Sequence, residues 1–186
     1  QKLTKDNKIA WESTTPFENL LSLIEEERSL TITESEFEGR NVSHPLYKLC
    51  LFYFKSKNAV CLTTKVPIHQ PMGKMYKLEK DHIFPYSVLK KRGYAMGEDK
   101  YRLAQEFTNR AILTGFANRD KSDKSAENYL ILIDEETLNL QSIPTNKDCW
   151  KLENYENFLA ERRKILSEQL NNFLTSLSKE GSVEAI

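Results

Sequence analysis

The sequence predicts an α+β fold: a mainly helical body with a short hairpin–helix unit set into its middle. Three observations predict it. Apolar residues fall at helical spacing on either side of the centre. The centre holds two strand-like runs, "MYKLEKDHIF" and "RAILTGF", punctuated by Pro85 and Gly115. A long amphipathic stretch from Asn154 to about Ser178 follows.

Residues 1–14 are polar and read as a frayed or linker-like lead. Thr15-Pro16-Phe17-Glu18 then reads as a capping box with Pro at the first helical position. Leu20, Leu21, Leu23 and Ile24 supply that helix's apolar face. An acidic connection over 31–42 leads to Ser43-His44-Pro45, which opens a second helix. Its residues Leu46, Leu49, Cys50, Phe52, Tyr53 and Phe54 surround much of the circumference, which predicts burial. Here His44 reads as a helix-start residue. Residues 59–76, with Pro67, Pro71 and Gly73, read as loop with short extended pieces.

In the centre, residues 75–84 suit a strand running into Pro85, which ends it. "EDKYRLAQEF" suits a helix, and "RAILTGF" a short strand stopped by Gly115. "ANRDKSDKSAENYLILI" suits a loop or short helix leading into another. Pro144 breaks the chain before the last element. There Tyr155, Phe158, Leu159, Ile165, Leu166, Leu170, Phe173, Leu174 and Leu177 form one stripe of a packing helix. Trp11 and Trp150 read as packing residues.

Composition sets bounds. The 186 residues, 39% hydrophobic and 29% charged, suit one globular domain. No apolar run approaches membrane-spanning length, and there is no signal peptide. Three scattered cysteines without a CxxC pair argue against a structural zinc knuckle and fit a reducing, cytoplasmic setting. The chain begins with Gln1 and not Met, which predicts a piece of a longer protein. Net charge is zero, yet residues 74–124 hold 12 Lys/Arg against 7 Asp/Glu, and the remainder 15 against 20. A basic middle between acidic flanks is compatible with a polyanion site.

The chemistry-bearing residues are ordered as D-H-I-x-P, N-x-x-x-L and N-x-x-K: Asp81-His82, then Asn109, then Asn118 and Lys121. A hairpin would bring the end of its first strand beside its second, and a following helix would pack across both. Asp81 and Asn118 would then turn oxygens to a common point, a donor type suited to Mg²⁺. Adjacent strand residues alternate faces, so His82 would point to the other side, placed to take a proton from water. Asn109 would either orient the imidazole or pin the loop. Arg119, Lys121 and Lys124 read as phosphate contacts or as a solvated face, whereas Lys90, Lys91 and Arg92 read as plain surface.

These residues resemble the HNH motif of the ββα-metal nucleases. The third position is Asn, as in the HNH domain of the RNA-guided CRISPR nuclease, whose D-H-I-V-P and N-R-G-K-S-D resemble "DHIFP" and "NRDKSD". With "HPLYKLCLFYF", "KLEKDHIFPYSVL" and "ENFLAERRKILSEQLNNFL", residues 43–178 resemble the C-terminal half of GmrSD-type restriction proteins. In that family a ParB-like nucleotide-hydrolysing domain precedes the nuclease. The resemblance implies Asp81 and Asn118 as ligands of Mg²⁺, Mn²⁺ or another divalent cation. It implies His82 as general base, Asn109 as the structural Asn, and Lys121 near phosphate. The chain departs from the family in lacking the nucleotide-hydrolysing part and in a long charged insert over 86–108.

The expectation is therefore a nuclease core over 71–133 between helical segments over 1–70 and 134–186, together one compact domain. It would cut DNA in a restriction or anti-phage protein of the cytoplasm, away from membranes. The alternatives are a non-catalytic DNA-binding or scaffold module, and a helical protein that dimerises through 154–178.

Overall fold

A computed structural model describes residues 31–69 and 77–180, together with residues 12, 14, 15 and 19. The polar lead, the helix expected at Thr15-Pro16, Trp11 and the 70–76 part of the proline-rich loop otherwise lie outside the described residues. The chain divides into two compact units, Gln1–Ile32 and Thr33–Ile186. The second holds everything that follows.

That unit is α+β. Helix α1 spans Pro45–Ser56, and His44 starts it: the Leu46 amide donates to His44 Nδ1 at 3.3 Å, with Pro45 at the first helical position. Strand β1 spans Leu78–His82. One-turn helices α2 (Tyr86–Leu89) and α3 (Tyr101–Ala104) follow. Strand β2 spans Arg110–Thr114 and runs straight into α4, Gly115–Lys121. Helices α5 (Ala126–Leu130) and α6 (Glu135–Leu140) lead to α7, Tyr155–Glu180. No helix among the described residues is long and apolar enough to cross a membrane.

The two strands pair antiparallel, with Leu78 opposite Thr114, Asp81 opposite Ala111 and His82 opposite Arg110. The expected hairpin pairing is therefore present. Gly115 does more than stop the strand. Its amide donates to Lys77 O at 2.8 Å, extending the ladder, and a Cβ there would meet Glu79 Oε1 at 3.2 Å. Glycine thus lets α4 start close against β1. Thr114 caps α4 by accepting from the Ala117 amide at 3.2 Å.

The expected helix over "EDKYRLAQEF" is shorter than its pattern suggests. Only Tyr101–Ala104 is α-helical, and Phe107–Asn109 is a 3-10 turn. Glu106 accounts for the departure. It is fully buried, and its carboxylate takes Arg163 Nε at 2.8 Å, Arg163 Nη2 at 2.6 Å and the Gly39 amide at 2.8 Å, besides Thr108 Oγ1. Those tertiary bonds outweigh local helix propensity.

A two-stranded sheet is marginal alone, and among the described residues β2 has no third strand beyond it. Side chains fill that role. Gln141 accepts from the Ile112 amide at 2.8 Å and donates to Ile112 O at 3.0 Å and Val60 O at 2.7 Å. The Thr114 amide donates to Cys61 Sγ at 3.2 Å. From α7, Arg162 donates to Arg110 O at 2.7 Å, Thr108 O at 2.6 Å, Gln141 O at 2.9 Å and Ser142 O at 3.1 Å. Arg162 is 1% exposed, and burial pushes its guanidinium down to about 10, still charged at neutral pH.

The hydrophobic core runs from Cys61 to Leu159, so the segments expected at 71–133 and 134–186 share it. Phe84, Tyr155 and Phe158 meet at its centre, with ring centroids 5.0 Å apart in both Phe84 pairs. Tyr155, Phe158, Leu159, Leu166 and Leu170 of α7 are buried within their own chain, as a packing helix requires.

Replacing Arg162 by Met keeps an apolar stem but orphans four carbonyls. Each buried unsatisfied acceptor costs about 1–3 kcal/mol, and partial relaxation recovers some of it. Arg162→Met should therefore lose at least ~3 kcal/mol in urea unfolding. A loss under ~1 kcal/mol would show that water replaces the guanidinium.

Candidate functional site

The hairpin register sorts the site residues onto two faces. Residues opposite each other share a face, and neighbours along a strand alternate. Glu79 and Asp81 therefore lie with Ala111 and Leu113, on the face that α4 covers. Lys80 and His82 lie with Ile112 and Arg110 on the other.

On the α4 face, Asn118 and Lys121 are one turn apart and both turn toward β1. Asn118 Nδ2 donates to Glu79 Oε2 at 2.7 Å. Lys121 Nζ donates to Asp81 Oδ2 at 2.7 Å. Asp81 and Asn118 thus lie along one strand–helix seam, Asp81 joined to Lys121 and Asn118 joined to Glu79, a second carboxylate on the same face. Lys121 departs from its expected place at phosphate. It is 2% exposed, because its position on α4 points it inward, where Asp81 and the Tyr129 ring receive its ammonium. Arg119 and Lys124 do lie on the outer surface, Lys124 paired to Asp120 at 3.3 Å.

On the other face, His82 Nδ1 lies 3.1 Å from Arg110 Nη1. A guanidinium has no acceptor, so Nδ1 must take this bond with its lone pair. The imidazole is then neutral, with its proton on Nε2, which is buried and has no partner among the described residues. Burial, followed by the nearby Arg110 charge, pushes His82 down to about 4; Lys121 adds to the effect and Asp81 opposes it. Tyr86 stacks on the ring at 6.0 Å between centroids. Arg110 is held in turn by Gln105 Oε1 at 2.8 Å and Lys80 O at 3.3 Å.

Asn109 decides between its two expected roles: it pins the loop. It is fully buried, and its Oδ1 accepts from the Phe84 amide at 2.9 Å while Nδ2 donates to Phe84 O at 3.2 Å. Its backbone oxygen accepts from the Ile83 amide at 2.8 Å. The chain leaving β1 is thereby strapped to the chain entering β2, and among the described residues no hydrogen bond joins the Asn109 amide to the imidazole.

Sequence reasoning missed Glu79, Arg110 and Gln105. Two of these were accessible to it. Glu79 is two residues before Asp81, so strand alternation puts it on the same face. Arg110 follows Asn109, and a hairpin register would have set it across from His82. Gln105 needed the three-dimensional structure.

The donors along the seam are two carboxylates and an amide oxygen, hard ligands of the type that divalent Mg²⁺ or Mn²⁺ takes. Asp81 already draws a cationic group, the Lys121 ammonium. No cluster of three or more His, Cys, Asp or Glu occurs among the described residues. Any such ion would therefore depend on Asn118 and on water. No family model matches the chain, and no curated protein or solved structure matches it.

The depressed imidazole makes stability depend on pH. Between pH 4 and 6.5 the unfolded chain binds a proton at His82 that the folded one refuses, so stability rises with pH through that window. Acidification from 6.5 to 4 should cost on the order of 2 kcal/mol more in wild type than in His82→Asn. Urea unfolding at stepped pH measures it. An unchanging difference between the two proteins would show that the folded imidazole carries a charge.

Proposed function

We propose that this unit is an HNH-type ββα-metal endonuclease module, hydrolysing DNA phosphodiester bonds as the cutting part of a restriction or anti-phage protein. One observation carries the reading: an antiparallel hairpin followed directly by a helix, with Asp81 and Asn118 in one seam and a neutral His82 on the opposite face of the same strand end.

In this reading Asp81 and Asn118, with Glu79 beside them, would hold Mg²⁺ or Mn²⁺. A cation bound there supplies positive charge for the leaving oxygen and for the transition state. His82 is the general base. Its Nδ1 lone pair is the side that can accept a proton from water, and Arg110 occupies it. A phosphate oxygen competes well for that guanidinium, because charge-assisted bidentate bonds to phosphate exceed a bond to a neutral imidazole. Arg110 thus passes to the phosphate and frees Nδ1. The arriving anion also offsets the two cations that depress the imidazole, raising its proton affinity as substrate binds. Asn109 holds the strand end still meanwhile. Arg119 and Lys124 stay available for phosphates farther along the duplex. Contacts of this kind are weakly selective for sequence.

A second reading draws on a different observation. Asp81 is already neutralised by Lys121, and the Asn118 amide is given to Glu79. A non-catalytic DNA-binding or scaffold module would keep this arrangement permanently.

Plasmid cleavage across a titration of Mg²⁺ and Mn²⁺ separates the two. His82→Ala should lose about 10²- to 10⁴-fold in rate, with no rescue at any metal concentration. Asp81→Ala should lose activity but recover part of it as metal rises, since mass action refills a weakened site. Full cleavage by His82→Ala would end the proposed mechanism. Absence of cleavage by the wild type would favour the second reading.

A further inference from the structure

An open cleft of about 650 Å³ lies between loop 38–43 and the segment 101–110. Its walls are fastened to each other. The Phe107 amide donates to Arg40 O at 2.8 Å, and the Gly39 amide to Glu106 Oε2 at 2.8 Å. Gly39 has φ +66°, and a Cβ there would meet Arg102 Cβ at 3.4 Å, so the loop packs closely on α3. Three arginines line the cleft, Arg40, Arg102 and Arg110, against one acid, Glu38. Arg40 and Arg102 are exposed, and neither side chain has a hydrogen bond or ion pair among the described residues. Such unspent guanidinium groups on a built wall match phosphate oxygens in charge and in fork geometry. Arg110 belongs to two places at once: it lines the cleft and touches His82 Nδ1 at 3.1 Å.

We infer that this cleft is a binding track for the sugar–phosphate backbone of DNA, carrying the strand past Arg40 and Arg102 to Arg110 and so to His82. The identity of the ligand rests on the nuclease reading. The cleft's openness favours a strand passing through over an enclosed small molecule.

The test is fluorescence anisotropy with a labelled DNA duplex in EDTA, across a salt series, so that cleavage never enters. Removing two phosphate contacts in Arg40→Gln/Arg102→Gln should weaken binding roughly tenfold or more near 0.1 M salt and make the log–log salt slope shallower by about 1.8. Arg40→Lys/Arg102→Lys should keep the slope. A control pair, Lys90→Gln/Lys91→Gln, removes the same charge from exposed positions outside the cleft and should change both quantities far less. Unchanged binding in the glutamine pair, or an equal loss in the control pair, would overturn the track. If the wild type does not cleave but the glutamine pair binds weakly, the track stands and the nuclease reading falls. If His82→Ala stops cleavage while the glutamine pair binds normally, the track alone falls.

Discussion

The outer edge of β2 is the constraint on which the rest depends. A strand whose far side faces the interior must find partners for its backbone groups, and no third strand among the described residues supplies them. Gln141 answers at Ile112, Cys61 at Thr114 and Arg162 at Arg110. These three come from a loop, the end of α6 and the long α7. The helical body is therefore more than a cover for the hairpin, since it completes the sheet. Arg162 carries the largest share, because one guanidinium reaches four carbonyls from two separate stretches of chain. Its charge is balanced by carbonyl dipoles with no carboxylate attached, which explains why burial lowers its proton affinity yet leaves it cationic.

Once β2 is held, the two faces of the hairpin acquire distinct chemistry. The α4 side concentrates oxygen donors and one ammonium. The opposite side holds an imidazole against a guanidinium. Asn109 joins the strand ends by the backbone of Ile83 and Phe84, while Glu106 and Arg163 tie the same turn to α7. The site is thus anchored from both ends of the turn before β2. In the proposed nuclease reading, a neutral His82 with its lone pair capped by Arg110 is chemically latent and would become a usable base when an anion takes Arg110 away.

The excess positive charge of the middle segment resolves into different duties. Lys121 and Arg110 turn inward to Asp81 and His82. Arg102 stands on the cleft, and Lys90 and Lys91 are exposed outside it. A local charge count cannot separate these cases, because it is blind to which way a helix position faces.

Much of the arrangement was legible in the sequence. Pro85 and Gly115 punctuate two strand-like runs, so the hairpin and its approximate register follow from local rules. The order of Asp81, His82, Asn109 and Asn118 then places acid and imidazole on opposite faces by alternation alone. The stripe of α7 foretold a packing helix, and His44-Pro45 foretold a helix start. What only the tertiary structure decided are the partners. Asn109 was left between two roles because an amide can serve either, and only the position of Phe84 selects one. Lys121 went to Asp81 because the phase of α4 sets its direction. The helix expected around Glu106 shortened because a buried ion pair with a residue 57 positions away outweighs propensity. Local periodicity and turn chemistry act within a few residues and can be read along the chain. Buried hydrogen bonds and ion pairs join residues distant in sequence, and their outcome exists only once the chain has closed on itself.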